Sequence, residues 1–356
     1  MTNYNPLNSD GETNHRPTFP LSSTSRRKPR RWPLVLRFIK GAIHLTILLQ
    51  IVLHTLWTLL VVFLGKYVDN KLTLTSNIIP SLSIVVGLML VFRNQTSYER
   101  FWSGRMYLST ISTSVRNLSR TFLCCSFASG TEMKNEDRAD TERTIRILVA
   151  ILYSVKDHLR HAWGAAVQRD DYDPAGSSDA SHKSEYSDLL PDNLNILEHS
   201  GLGLPLELTF FVETYIRRGF DKGWFHAPQA SQMQVQLNTL VDSYGSMETI
   251  RQTPLPVAYL IHQKQVLALF GIILPFAMVH DMGWWAVPVV TLIMFTLYGI
   301  DGIGTQLENP FGIDKNDIKM DAIVEDCRTE IMCLLNEWKQ GDEMFAKKSG
   351  QNCFGN

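Results

Sequence analysis

The stretch NIIPSLSIVVGLMLVFRNQTSYERFWSGR, Asn77 to Arg105, decides how the rest of the chain is read. Its first half is apolar and uncharged. From Arg93 onward it is polar, with Tyr98, Glu99, Arg100, Trp102 and Arg105. No Gly or Pro interrupts Leu88 to Trp102, so the pattern predicts one helix that leaves a membrane and continues into water. Ile84, Leu88 and Phe92 fall at i, i+4 and i+8 and stack along one face near the exit. Two readings are open for that face. It lines a narrow pore, or it packs against neighbouring helices.

Working outward, the apolar residues gather at two places along the 356-residue chain, which carries a net charge of −1. That charge excludes an overall field suited to nucleic acid. On the N-terminal side, Gly41 to Gly65 contains no Lys, Arg, Asp or Glu and is long enough to span a bilayer. His44, Gln50 and His54 are its polar interruptions, read as inter-helix groups. Leu72 to Phe92 is the second uncharged run, with Pro80 marking a start or a kink. On the C-terminal side, Val257–Val279 and Met282–Ile300 form a second apolar pair around a turn at His280–Gly283. The sum is four spans in two hairpins. The basic run SRRKPRR (Ser25–Arg31) and Arg93, Arg100 and Arg105 place both termini on the cytosolic side. The first 30 residues show no early apolar core of a secretory signal and read as a disordered cytosolic arm. The plasma membrane is the default location, with an organelle membrane as the alternative.

The expected organisation is a basic arm (1–31), two transmembrane helices with a pore-lining neck (32–105), and a cytosolic helical domain (106–250). That domain holds a polar Ser/Asp-rich loop (168–191). Two further transmembrane helices (251–304) and a cytosolic tail (305–356) complete it. Within the middle block, Ile145, Leu148, Ile151, Leu152, Val155 and Leu159 keep a helical period. The five cysteines show no metal-ligand spacing. No nucleophile elbow, phosphate loop or dinucleotide fingerprint appears, so an enzyme is the least supported class. No internal repeat suggests a two-halved transporter.

Three segments in order resemble one family. FRNQTSYERFWSGR (Phe92–Arg105), METIRQTPLPVAY (Met247–Tyr259) and ENPFGIDKND (Glu308–Asp317) are similar to the recurring signatures of the bestrophin-like channels, closest to their microbial and plant branches. The resemblance runs from about Trp32 to Leu335. It implies an all-α membrane protein: four transmembrane helices over a cytosolic helical bundle, assembled as a homopentamer with a central pore. Members conduct chloride and other monovalent anions, and one bacterial branch favours cations. The family's neck residues map onto Ile84, Leu88 and Phe92, and a lower constriction maps near Pro228–Ser231. In animal members the third segment contributes to a calcium clasp, which would fall on Asp314, Asn316 and Asp317 here. Asp317 alternatively caps the helix that follows. Arg93 has two readings, an anion-concentrating group at the cytosolic exit or an ion-pair partner for Glu99 or another helix. The expected function is an anion channel with chloride as permeant ion. A cation channel of the same fold and a non-conducting membrane scaffold are the alternatives.

Overall fold

The computed structural model describes residues 43–67, 77–126, 134–168, 189, 204–314 and 316–352. The basic arm and nearly all of the 168–191 loop lie outside the described residues. Among the described residues the secondary structure is helical throughout. Helix α1 is Ile43–Tyr67 and α2 is Ile78–Cys125. Helix α3 is Asn135–Gln168, α4 is Leu204–Asp221 and α5 is Ala227–Gln252. Helix α6 (Val257–Met282) meets α7 (Ala286–Glu308) through a 3-10 turn at Gly283–Trp285, and α8 is Met320–Asn352.

Helix α2 is the spine. Its 48 residues extend for about 72 Å at 1.5 Å per residue. Pro80 sits in its first turn, where the missing amide proton would have had no helical partner. Two separate apolar cores form along its length. Near its start, Val86 and Leu90 pack with Ile47 of α1, Leu267, Phe270 and Leu274 of α6, and Val290, Met294 and Tyr298 of α7. Beyond its exit, Leu108, Ile111, Val115, Leu118 and Phe122 join α3, α4, α5 and α8 in the larger core. The six periodic residues of α3 are all fully buried there.

Among the described residues, length and composition mark three stretches able to cross a membrane: Thr46–Tyr67, Ile79–Cys125 and Val257–Glu308. The last contains both α6 and α7. Helix α6 runs through the expected turn to Met282, and Gly283 ends it with φ 51°, a left-handed conformation that a Cβ would disfavour. Helix α7 continues eight residues past Ile300, to Glu308. The sequence reading stops that helix at the charge of Asp301. The structure carries it onward because Asp301 is paired inside the bundle. Outward-facing Leu49, Leu53, Leu56 and Phe63 leave α1 apolar on its free side, as a lipid-facing helix must be.

Two small residues set close approaches in this bundle. Gly271 of α6 lies so near His54 and Met294 that a Cβ would come within 2.6 Å of each. There His54 Nε2 and the Tyr298 hydroxyl share a hydrogen bond of 2.9 Å, the inter-helix role the sequence suggests for that histidine. Gly104 of α2 is covered by the Phe311 ring, at 2.8 Å from a would-be Cβ. That contact docks the Pro-Phe-Gly turn against the spine.

Candidate pore-lining face

An α-helix turns about 100° per residue, so position along α2 fixes direction. Val86, Leu90, Arg93, Ser97, Gly104 and Leu108 share one side and are buried. Ile84, Leu88, Val91, Phe92, Gln95, Glu99, Trp102 and Met106 share the other and are exposed. Ile84 is 69% exposed and Phe92 55%. The three expected neck residues therefore lie together on a face that no helix of the same chain covers among the described residues.

The face changes character along its length. Its first half carries aliphatic side chains and Phe92. Its continuation carries Gln95 and Glu99, joined by a hydrogen bond from Gln95 Nε2 to Glu99 Oε1 of 3.1 Å. Beside Glu99 a cleft of about 340 Å³ opens between α2 and α5, lined also by Thr96, Ser103, Tyr107, Ser246 and Thr249.

Arg93 is on the opposite side of the helix from this face and is 1% exposed. Its guanidinium makes a buried ion pair with Asp301 of α7 and donates to Thr305 Oγ1 at 2.7 Å, with Glu308 at 3.8 Å. Gln263 of α6 donates to the same Asp301 oxygen at 3.2 Å. Gly304 of α7 packs beside Arg93 and Asn94: a Cβ there would lie 3.3 Å from Asn94 Oδ1 and in ordinary contact, 3.5 Å, with Arg93 Nε. Of the two readings, the ion pair is the one found, and its partner is Asp301 rather than Glu99. An exit-lining role fails for a physical reason: a buried, paired guanidinium presents no open charge to passing ions. The sequence signal that was missed is Asp301 itself, an isolated acid in an apolar run, which is costly in a membrane unless partnered.

Arg100 serves the same joint. It donates to the carbonyls of Ile250, Thr253 and Glu308 at 2.5, 2.6 and 3.1 Å. Those oxygens belong to the C-terminal ends of α5 and α7, where helices lack internal donors and favour positive charge. One side chain thus ties α2 to two helix ends.

Asp317 and Asn316, two of the expected calcium ligands, are engaged by groups of the same chain. Calcium takes six to eight oxygen ligands. Asp317 Oδ2 accepts from the Asp314 amide at 2.7 Å, and the Asn316 amide donates to Gln306 at 2.6 Å. Among the described residues no three His, Cys, Asp or Glu groups converge as metal ligands. The helix-cap reading of Asp317 also changes. Its carboxylate bonds backward within the Pro310–Asp317 turn, and α8 begins only at Met320. Burial pushes this carboxyl above the usual carboxylate range. Pro228–Ser231, where a lower constriction was expected, forms the first turn of α5, with Pro228 and Ser231 exposed. The His226 amide donates to Gln229 Oε1 at 3.1 Å and closes that turn.

With this geometry in hand, the sequence profile of the bacterial/fungal bestrophin proteins matches residues 23–333. The chain belongs to the bacterial/fungal bestrophin family. A relative, the voltage-dependent anion channel-forming protein alr2987 of Nostoc sp., is 34% identical over 303 residues, 85% of this chain and 91% of that one. The voltage-dependent anion channel-forming protein sll1024 of Synechocystis sp. is 32% identical over 317 residues, 88% and 95% of the two chains. Among solved structures, a single-substitution variant of a bacterial bestrophin homologue from Klebsiella pneumoniae matches with a TM-score of 0.70. It covers 83% of this chain and 99% of that one at 23% identity. This bestrophin accordingly has a helical membrane fold, and its place is in a membrane.

Proposed function

We propose that this bestrophin is a homopentameric anion channel whose α2 faces meet around a central pathway. The observation that carries the reading is the uncovered face of α2, aliphatic and aromatic through Phe92 and polar beyond it. The face keeps its direction as it passes from Ile84, Leu88 and Phe92 to Gln95 and Glu99, which suits a dry neck that opens into a wet vestibule. The names of the cyanobacterial relatives support anions as the permeant species. Four membrane crossings follow when α6 and α7 each span, with both termini cytosolic.

Rings of Ile84, Leu88 and Phe92 would make a passage that water wets poorly, so that small movements open or close it. The Phe92 ring edge is electropositive and can stabilise a passing chloride without holding it. The test is reconstitution of the full chain in planar bilayers, with Ile84, Leu88 and Phe92 replaced together by Ala. The expected result is a larger conductance and weaker gating. Unaltered currents would reject the neck, and a cross-linking ladder ending below five subunits, with no current at all, would favour a scaffold.

A further inference from the structure

The apolar neck carries no sign, so it cannot by itself separate anions from cations. The next charged residue on the same face is Glu99. It lies seven residues beyond Phe92, about 10 Å along the helix and within about 20° of the same direction. It is exposed, and Gln95 holds its carboxylate along the face through the 3.1 Å hydrogen bond. Arg93 is buried with Asp301 on the far side. Arg100 borders the same cleft but points about 100° away around the helix, toward three backbone carbonyls; these are neutral, so its charge offsets part of the Glu99 carboxylate's. Arg105 is half-buried and about 120° away around the helix.

We infer that Glu99 is a charge-selectivity position of the pathway, a carboxylate contributed by each subunit just beyond the neck, which concentrates cations and lowers the preference for anions. The inference rests on the pore reading above. Its physical basis is the local potential of like charges facing one axis, which shifts the ratio of anion to cation concentration there. About 10 Å is also the Debye length near 0.1 M salt, so the ring acts on the neck mouth at low salt and is screened at high salt.

The test uses reversal potentials of the reconstituted full-length channel in asymmetric NaCl, for wild type, Glu99→Gln and Glu99→Lys. Both substitutions are at an exposed position, where replacements usually change stability little. The expected result at low salt is a chloride-to-sodium permeability ratio raised roughly threefold by Gln and about tenfold by Lys. Both differences should shrink near 1 M salt, where the Debye length is about 3 Å. A second measurement is Glu99→Cys treated with cationic or anionic methanethiosulfonate, with treated wild type as the control. Opposite current changes with the two reagents support an electrostatic role, and changes of the same sign contradict it. Permeability ratios that stay equal across all three channels at low salt overturn the inference. The Ala triple at the neck separates the two failures. If it alters current while Glu99→Gln and Glu99→Lys do not alter selectivity, only the role of Glu99 falls. If it has no effect, the pore assignment falls and takes Glu99 with it.

Discussion

Replacing Arg93 with Met removes one end of a buried ion pair and strands the other. Asp301 would keep only the Gln263 amide, at 3.2 Å, as a side-chain donor. Breaking a buried pair this way costs about 3–5 kcal/mol, because an uncompensated charge stays inside. The lost bond to Thr305, at 2.7 Å, falls within the same range. The reverse substitution is milder. Asp301→Asn leaves Arg93 with Thr305 and with Glu308 at 3.8 Å, so about 1–3 kcal/mol is expected. The double variant should cost less than the sum of the two, because the second change removes a group the first had already orphaned. Thermal unfolding of the detergent-solubilised protein reads this as a midpoint lowered by about 6–10 °C for Arg93→Met. A midpoint within about 2 °C of wild type, or strictly additive variants, would refute the reasoning that the pair anchors α2 to α7.

Gly104→Ala should destabilise by about 1–3 kcal/mol, because its Cβ would press to 2.8 Å on the Phe311 ring; pairing it with Phe311→Leu should recover part of the midpoint. Asp321 accepts two hydrogen bonds from Arg160 at 2.7 Å each, which hold its carboxyl below the usual Asp range, with Lys156 adding to the effect. A lowered folded pKa stabilises above the ordinary value and loses that contribution as pH falls through the folded one. Unfolding midpoints of Asp321→Asn should therefore fall less steeply than wild type below about pH 4, by no more than about 1 kcal/mol for so exposed a pair. Since Asp317 and Asn316 are engaged within the chain, chelating cytosolic calcium in a patch or bilayer recording should leave the current within about twofold; a steep calcium dependence would show that the oxygens are supplied another way.

The helices were legible in the sequence wherever one face is buried and the period is long, as in α3 and the start of α2. The direction of Ile84, Leu88 and Phe92 followed from spacing, since a helix face is fixed by arithmetic. The partner of Arg93 was not legible, because Asp301 lies 208 residues away and only the packing of α7 on α2 brings it near. The ends of α6 and α7 were missed for a related reason. A charge in an apolar run reads as a boundary until its partner is known. Glu99 was visible as a residue but not as a member of the neck's own face, because attention to hydropathy stops where the apolar run does.

The double attachment of α2 also constrains how such a chain can vary. The helix is gripped by one core at Leu90 and by another at Leu108, with no loop between them. A single inserted residue in that interval would turn one end by about 100° relative to the other. Either Arg93 would swing toward the open face or Ile111 would swing into water. Insertions and deletions should therefore be absent from this segment among functional relatives, however freely the sequence drifts. Even seven residues, two turns that restore the face to within about 20°, would push the two cores about 10 Å apart along the axis.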